Sequence, residues 1–546
     1  IRAGNTIITP KIFINNDTIS SSALEIINAD EIKNAGTILS KEKTKISSKI
    51  FSNKKSASLI SNHDLNLESD VMNFEQNSKM TSLLGNIVIN TKEIINNGQI
   101  SSFSDLTFAG KIDSFKSFGN IKSKGSILID NAKEVVFSSA ATNSTGDIII
   151  LADRVDFDSS VISSSEGKIT IKSSKNFDEK DSTIFSRKGI DFSGKDASFS
   201  TQGNITTCGN IAISLEGEIF SSVSIFGKLL SGSTINIKSI NFTTIEDKAS
   251  LESEIFNLDA ESFKNAGMVL ARSGALDIKS PLGIANTGDL ISGGQLMLLT
   301  ESLIESSGRI ASNSHIRFDA RDLKNAGSME SGGEFIISAQ EVDLGSGRVA
   351  SELEMKIDAE SFKNAGMVLA RSGALDIKSP LGIANTGDLI SGGQLMLLTE
   401  SLIESSGRIA SNNHIRFDAR DLKNAGILAS SDRVILNLSD NFENRAEIKV
   451  ANSLEVNSQN LINAGIIKSK DLLLNLKSNL DNEEEGIILS IHGIHGEING
   501  DLNNRGLIEI KNGNEKINIR GSVNNKGEII ASRFKLDIGE MLQKSI

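Results

Sequence analysis

Two clusters of arginine and aspartate are the residues of this chain best placed to do chemistry. Arg317, Asp319, Arg321 and Asp322 lie close together, and the same set recurs as Arg416, Asp418, Arg420 and Asp421. Paired carboxylates beside a basic group are what a sugar-cleaving site needs, one acting as acid and the other as base. The same spacing also describes a solvated strand face with charges of both signs. An active site duplicated along with its whole scaffold would be unusual, so the solvated face is preferred and no catalytic residue is assigned. His492-Gly-Ile-His495-Gly-Glu497 is the one local histidine pair. A three-residue step in a Gly-rich strand or turn does not reproduce the helical His-Glu-x-x-His zinc geometry, so no metal ligand is assigned. His315 and His414 stand at equivalent turn-like places and are expected to be exposed. No Walker loop, calcium-binding nonapeptide or nucleophile elbow is visible, and no cofactor is expected. The chain has no Trp and no Tyr, so it lacks the usual aromatic platforms for sugars, and its 24 Phe, exemplified by Phe263 and Phe318, fall in the inward alternation of strands.

The elements that would position these residues come from a repeat. Residues 259–327 recur as 358–426, an offset of 99, and differ only where Ser314 becomes Asn413. Within that duplication lies a shorter pattern, apolar-x-Asn-x-Gly-x-apolar, as in Phe263-Lys-Asn265-Ala-Gly267-Met-Val269. Its glycine position runs through Gly267, Gly288, Gly308, Gly327 and Gly347 to Gly527, with Ala446 in one place, in steps of 19 to 21 residues. The same signature appears earlier at Asn34-Ala-Gly36 and Asn96-Asn-Gly98, and it fades between about 120 and 260. Three regions follow: less regular coils over 1–120, divergent coils over 121–258 and regular Asn-x-Gly coils over 259–546.

Between markers the apolar residues alternate, as in Leu296-Met-Leu298-Leu and Ile316-Arg-Phe318-Asp. Period 2 means short strands, and the units are too short for helical repeats. The expected fold is all-β, a parallel β-helix (β-solenoid) of about 20 residues per coil. Strands about 4.8 Å apart would stack Val269, Leu290, Ile310, Met329 and Val349 into an inner ladder, and some 27 coils would make a rod on the order of 130 Å long. The marker glycine is expected to supply positive φ at a corner, and the asparagine to bond the turn backbone or the asparagine of the next coil. Ser306 and Ser405 would do so more weakly. Gly345 and Glu484, which stand at the asparagine position, imply looser corners.

The net charge of −12, from 57 basic and 69 acidic residues, argues against nucleic acid as a partner. Cys208 is the one cysteine, so no intrachain disulfide forms, and it is expected to be buried and inert. No run reaches the roughly 18 apolar residues of a membrane-spanning helix. The opening Ile1-Arg2-Ala3-Gly4-Asn5 shows neither an initiator Met nor a signal-peptide core, which suggests a fragment or processed region.

Leu-Lys-Asn-Ala-Gly at 323–327 and 422–426, with Leu461-Ile-Asn-Ala-Gly465, Leu502-Asn-Asn-Arg-Gly506 and Val523-Asn-Asn-Lys-Gly527, resembles the haemagglutinin repeats of the filamentous haemagglutinin family of two-partner secretion adhesins. The match covers about 260–530 well and the first half weakly. The resemblance implies a right-handed β-helix, export through an outer-membrane secretion pore, a secreted or cell-surface location, and a structural, non-enzymatic role in attachment to a host or neighbouring-cell receptor or glycan. It equally admits the stalk of a contact-dependent toxin delivery protein. A β-helical polysaccharide lyase or hydrolase is the third reading. Neither the family's N-terminal secretion domain nor a toxin after Gly527 is recognisable.

Overall fold

A strand that alternates apolar and polar side chains has to bury one face, and a unit of twenty residues cannot do so alone. In a computed structural model the chain solves this by stacking: strands pair in parallel with their equivalents one coil away, as Ile310 with Met329 and Met329 with Val349. The fold is an all-β parallel β-solenoid of about 20 residues per coil, without a helix among the described residues. Those residues are 2–217, 221–512, 515–531 and 534–541; the end of the regular region, 542–546, lies outside them. The coils form two compact units, Ile1–Ser280 and Pro281–Ile546.

A regular coil of the second unit has three strands, for example Ile316–Asp319, Asp322–Asn325 and Ser328–Ser331. In the first unit the first two strands often run on through an irregularity, as in Ile148–Asp158, before the third, Val161–Ser164. The inner ladder forms as the alternation requires. Leu290, Ile310, Met329 and Val349 pair in register in the second unit, and Leu251 pairs with Val269 in the first; all are fully buried. Full burial of such a side chain is worth about 1.5–3 kcal/mol relative to exposure.

Two polar columns line the interior. The asparagines of the Asn-x-Gly corner pass amide hydrogen bonds from coil to coil: Asn424 donates to Asn444, Asn444 to Asn463 and Asn463 to Asn482, each at 2.8 Å. Each also reaches the turn, as when Asn463 Nδ2 donates to Gly465 O at 3.1 Å. Ser306 and Ser405 accept in the same column from Asn286 and Asn385 at 3.3 and 3.1 Å. Where the marker fades in the first unit, the column continues with other residues: Ser117, Phe137, Phe157, Glu179, Thr201, Ile225 and Ile245 are in register, ending at Asn265. Glu179 takes the asparagine's part there, fully buried and accepting from Thr201 Oγ1 at 2.6 Å and Gly203 N at 2.7 Å.

The second polar column closes the third strand. Ser40, Ser61, Ser82, Ser102, Ser123 and Ser144 are paired in succession, and Ser292, Ser312, Ser331 and Ser351 likewise. Ser411 Oγ donates to Gly393 O at 2.6 Å, a carbonyl of the previous coil. This column ties each corner to the one beneath it.

Several expectations are corrected. The marker glycines do not have positive φ; the glycines that do include Gly283, Gly345 and Gly382. The marker is glycine because corners stack closely: a Cβ on Gly308, Gly327, Gly387 or Gly407 would lie 2.0–2.1 Å from the carbonyl oxygen of the glycine one coil away. Ala446 is the exception that carries a methyl in this column. The corners at Gly345 and Glu484 are not loose. Buried Leu344 and Asn482 hold the inward places, and the turns close through Gly347 N to Leu344 O at 3.0 Å and Gly486 N to Glu483 O at 2.9 Å. Phe263 and Phe318 are core as expected, but Phe103, Phe118, Phe226 and Phe242 lie at outward places and are exposed.

Candidate binding groove

The outward positions of the first strand carry a continuous hydrogen-bonded polar column in the second unit. Register brings Asp418, Asn437, Asn457, Asn475, Glu497 and Asn518 into one column, one residue per coil. Asn437 Nδ2 donates to Asp418 Oδ1 at 2.7 Å, Asn457 Nδ2 to Asn437 Oδ1 at 2.9 Å and Asn475 Nδ2 to Asn457 Oδ1 at 2.7 Å. This column borders an open groove of about 720 Å³ along the corner between first and second strands, which Leu398, Ala419, Leu438 and Lys477 also line. Beyond the corner, Asn441 Nδ2 donates to Asp421 Oδ1 at 3.3 Å and Asn460 Nδ2 to Asn441 Oδ1 at 2.9 Å. The first unit has a groove of about 790 Å³ at the equivalent corner, with charges of both signs on Asp130, Asp153, Glu216, Lys172 and Lys195.

Charge in the second-unit groove is largely neutralised by near neighbours. Arg416 Nε lies 2.7 Å from Asp418 Oδ2, and Arg520 Nη2 lies 2.6 Å from Glu497 Oε1. Burial raises the Asp418 carboxyl, but hydrogen bonds from Arg416 and Asn437 outweigh it and hold the group below the usual carboxylate range. Asp421 is treated the same way: burial raises it, while Arg420 and both the backbone and side chain of Asn441 bring it down. A carboxyl held ionised in this way serves as an acceptor and is poorly suited to be a general acid.

The two sequence clusters therefore have different settings. Arg317 and Asp319 are 3.9 Å apart and exposed, and Asp319 faces Ser338 in the next coil. Arg321 pairs with Asp322 at 2.9 Å across the corner from Asp319. In the second copy Arg416 and Arg420 each pair with their aspartate at 2.7 Å, and Asp418 and Asp421 head the two asparagine columns. His492 pairs with Asp471 at 3.4 Å at the preceding corner, while His495 and Glu497 point outward on the strand. No three His, Cys, Asp or Glu are grouped as metal donors among the described residues. His315 is exposed and its Nδ1 accepts from Glu334 N at 3.1 Å; His414 is half-buried. Cys208 is exposed, contrary to expectation, because it follows the last inward residue, Thr207, where the chain turns outward toward Gly209.

Sequence reasoning singled out Asp418, Asp421 and Glu497 but missed Asn437, Asn457 and Asn475. A signal was present: outward Asn residues directly after an inward Leu or Val, in Leu436-Asn437, Val456-Asn457 and Leu474-Asn475. Comparison of the chain with family models, curated proteins and solved structures finds no match.

Proposed function

We propose that this chain is a structural adhesin segment, a non-enzymatic solenoid of the haemagglutinin-repeat type whose lateral surface makes weak, repeated contacts with a cell surface. The observation that supports binding over cleavage is the state of the acids along the groove. Asp418 and Glu497 are tied to arginines and amides, and Asp418 is held ionised. Hydrolysis of a glycosidic bond needs one acid kept protonated. Repetition supports the rest: contacts of low individual affinity gain strength when several engage at once.

Export through an outer-membrane pore and display outside the cell fit the same proposal. Each coil buries its apolar face on the coil before it, so a chain emerging in an extended state can fold progressively. No disulfide needs to form. The test uses the whole chain. Fluorescently labelled protein should bind epithelial cells saturably, and incubation with neutral and acidic polysaccharides should release no reducing ends. Turnover abolished by Asp418→Asn, or an absence of cell binding, would overturn the proposal.

A further inference from the structure

We propose that the groove beside Asn437, Asn457 and Asn475 binds a neutral, extended glycan lying along the solenoid axis; this rests on the adhesin reading above. The site is built rather than incidental, since each amide is oriented by the next at 2.7–2.9 Å. An amide has two N–H donors and two acceptor lone pairs. Coil-to-coil bonding leaves Asn437 and Asn475 a second N–H each, and leaves the Oδ1 of Asn437, Asn457 and Asn475 with a lone pair to spare, whereas Asp418 Oδ1 already accepts from both Asn437 and Arg416. The result is a row of acceptors at the strand spacing, about 4.8 Å, with a free donor on every second coil, because Asn457 Nδ2 is spent on Asn437 and Glu455. Sugar hydroxyls both donate and accept, and a pyranose advances along an extended chain by a similar distance.

Charge decides the ligand class. The acids at the groove, Asp418 and Glu497, already face Arg416 and Arg520, which leaves the exposed Lys477 as a single cation there, too little charge to select a polyanion. Leu398, which is 37% exposed, and Ala419 offer an apolar wall for the CH face of a sugar ring. A peptide adding as a strand does not fit, because the groove crosses strands whose backbone groups are already paired on both sides, as Val434–Leu438 is with its two neighbours. From Asp418 to Glu497 the column spans five coils, about 20 Å, which suits four or five sugar units. With no aromatic ring at the groove, affinity per site is weak and depends on repetition.

The test is titration calorimetry of the whole chain with cellohexaose, and with hexagalacturonate as the acidic counterpart. Cellohexaose should bind the more tightly. Asn475→Leu and the near-isosteric Asn475→Asp, which removes both donors, should each weaken cellohexaose at least tenfold with unchanged circular dichroism. The inference is overturned if cellohexaose does not bind at millimolar concentration, if hexagalacturonate binds better, or if neither variant alters binding. Cell adhesion without cellohexaose binding overturns the groove assignment alone. Cellohexaose binding sensitive to Asn475→Asp, without cell adhesion, supports the groove and overturns the adhesin reading.

Discussion

Replacing Asn463 by leucine probes the inner asparagine column directly. Asn463 accepts from Asn444 at 2.8 Å and donates to Asn482 at 2.8 Å and to Gly465 O at 3.1 Å. Each such bond contributes about 0.5–1.5 kcal/mol net. Leucine removes all three and leaves the buried Asn482 Oδ1 without its donor, which costs a further 1–3 kcal/mol or so. Asn444 is less affected because its amide also donates to Ala446 O at 3.0 Å. The expected loss is therefore about 3–5 kcal/mol. It should be local, because in a solenoid each coil is stabilised by its neighbours only. Hydrogen exchange of the whole chain, read by mass spectrometry where opening is at equilibrium, should show residues 441–490 exchanging more than about a hundredfold faster. Residues 141–186 should be unchanged. Asn463→Ser should lose only about 1 kcal/mol, since Ser306 and Ser405 already fill this column. A loss below about 1 kcal/mol for leucine, or one spread evenly along the chain, would refute the reasoning.

Three further outcomes are expected. Gly407→Ala places a methyl 2.0 Å from Gly387 O and should cost about 1–3 kcal/mol in urea unfolding of the second unit, whereas a Cβ on Gly4 meets nothing and Gly4→Ala should be neutral. Asp376 is raised by burial first and by Glu354, with Lys356 opposing, and its buried Oδ1 has no hydrogen-bond partner. A carboxyl with a raised folded value costs stability while ionised, so the Asp376 contribution becomes more favourable as pH falls through that value. Asp376→Asn should then raise the urea midpoint at pH 7, and the gain should vanish below the ordinary aspartate value of 3.8. Cys208 should react with one equivalent of maleimide in the folded protein without change in circular dichroism; protection until unfolding would contradict its exposure.

The inner ladder was legible because alternation at period 2 leaves each strand one way to face, and Met329 or Val349 could be placed from the sequence alone. Other features depend on a residue some twenty positions away. The glycine marker was visible at Gly308, but its cause is the carbonyl of Gly288, so the turn-conformation explanation was the wrong one. The serine column was readable in Ser-Met-Glu-Ser331 and Arg-Val-Ala-Ser351, yet serine is common enough here to pass as turn chemistry. The marker's disappearance after residue 120 suggested divergence, whereas Phe137, Phe157 and Glu179 fill the same column with different chemistry.

The duplication shows why single-coil motifs are poor guides to a surface of this kind. Arg317-Phe-Asp319 and Arg416-Phe-Asp418 are identical in sequence and sit on equivalent strands. Yet the Asp319 side chain is 55% exposed and that of Asp418 24%. The difference lies in the coil that follows: Ser338 stands beside Asp319, while Asn437 stands beside Asp418 and bonds it at 2.7 Å. The sequence steps along the outer column, from 418 to 437, 457, 475 and 497, are uneven because corners vary in length, so a fixed-period search does not find it. Binding chemistry on a solenoid belongs to columns across coils. Copying some three and a half coils, residues 259–327, therefore copies the scaffold while leaving the surface at its edge to be set by whatever coil comes next.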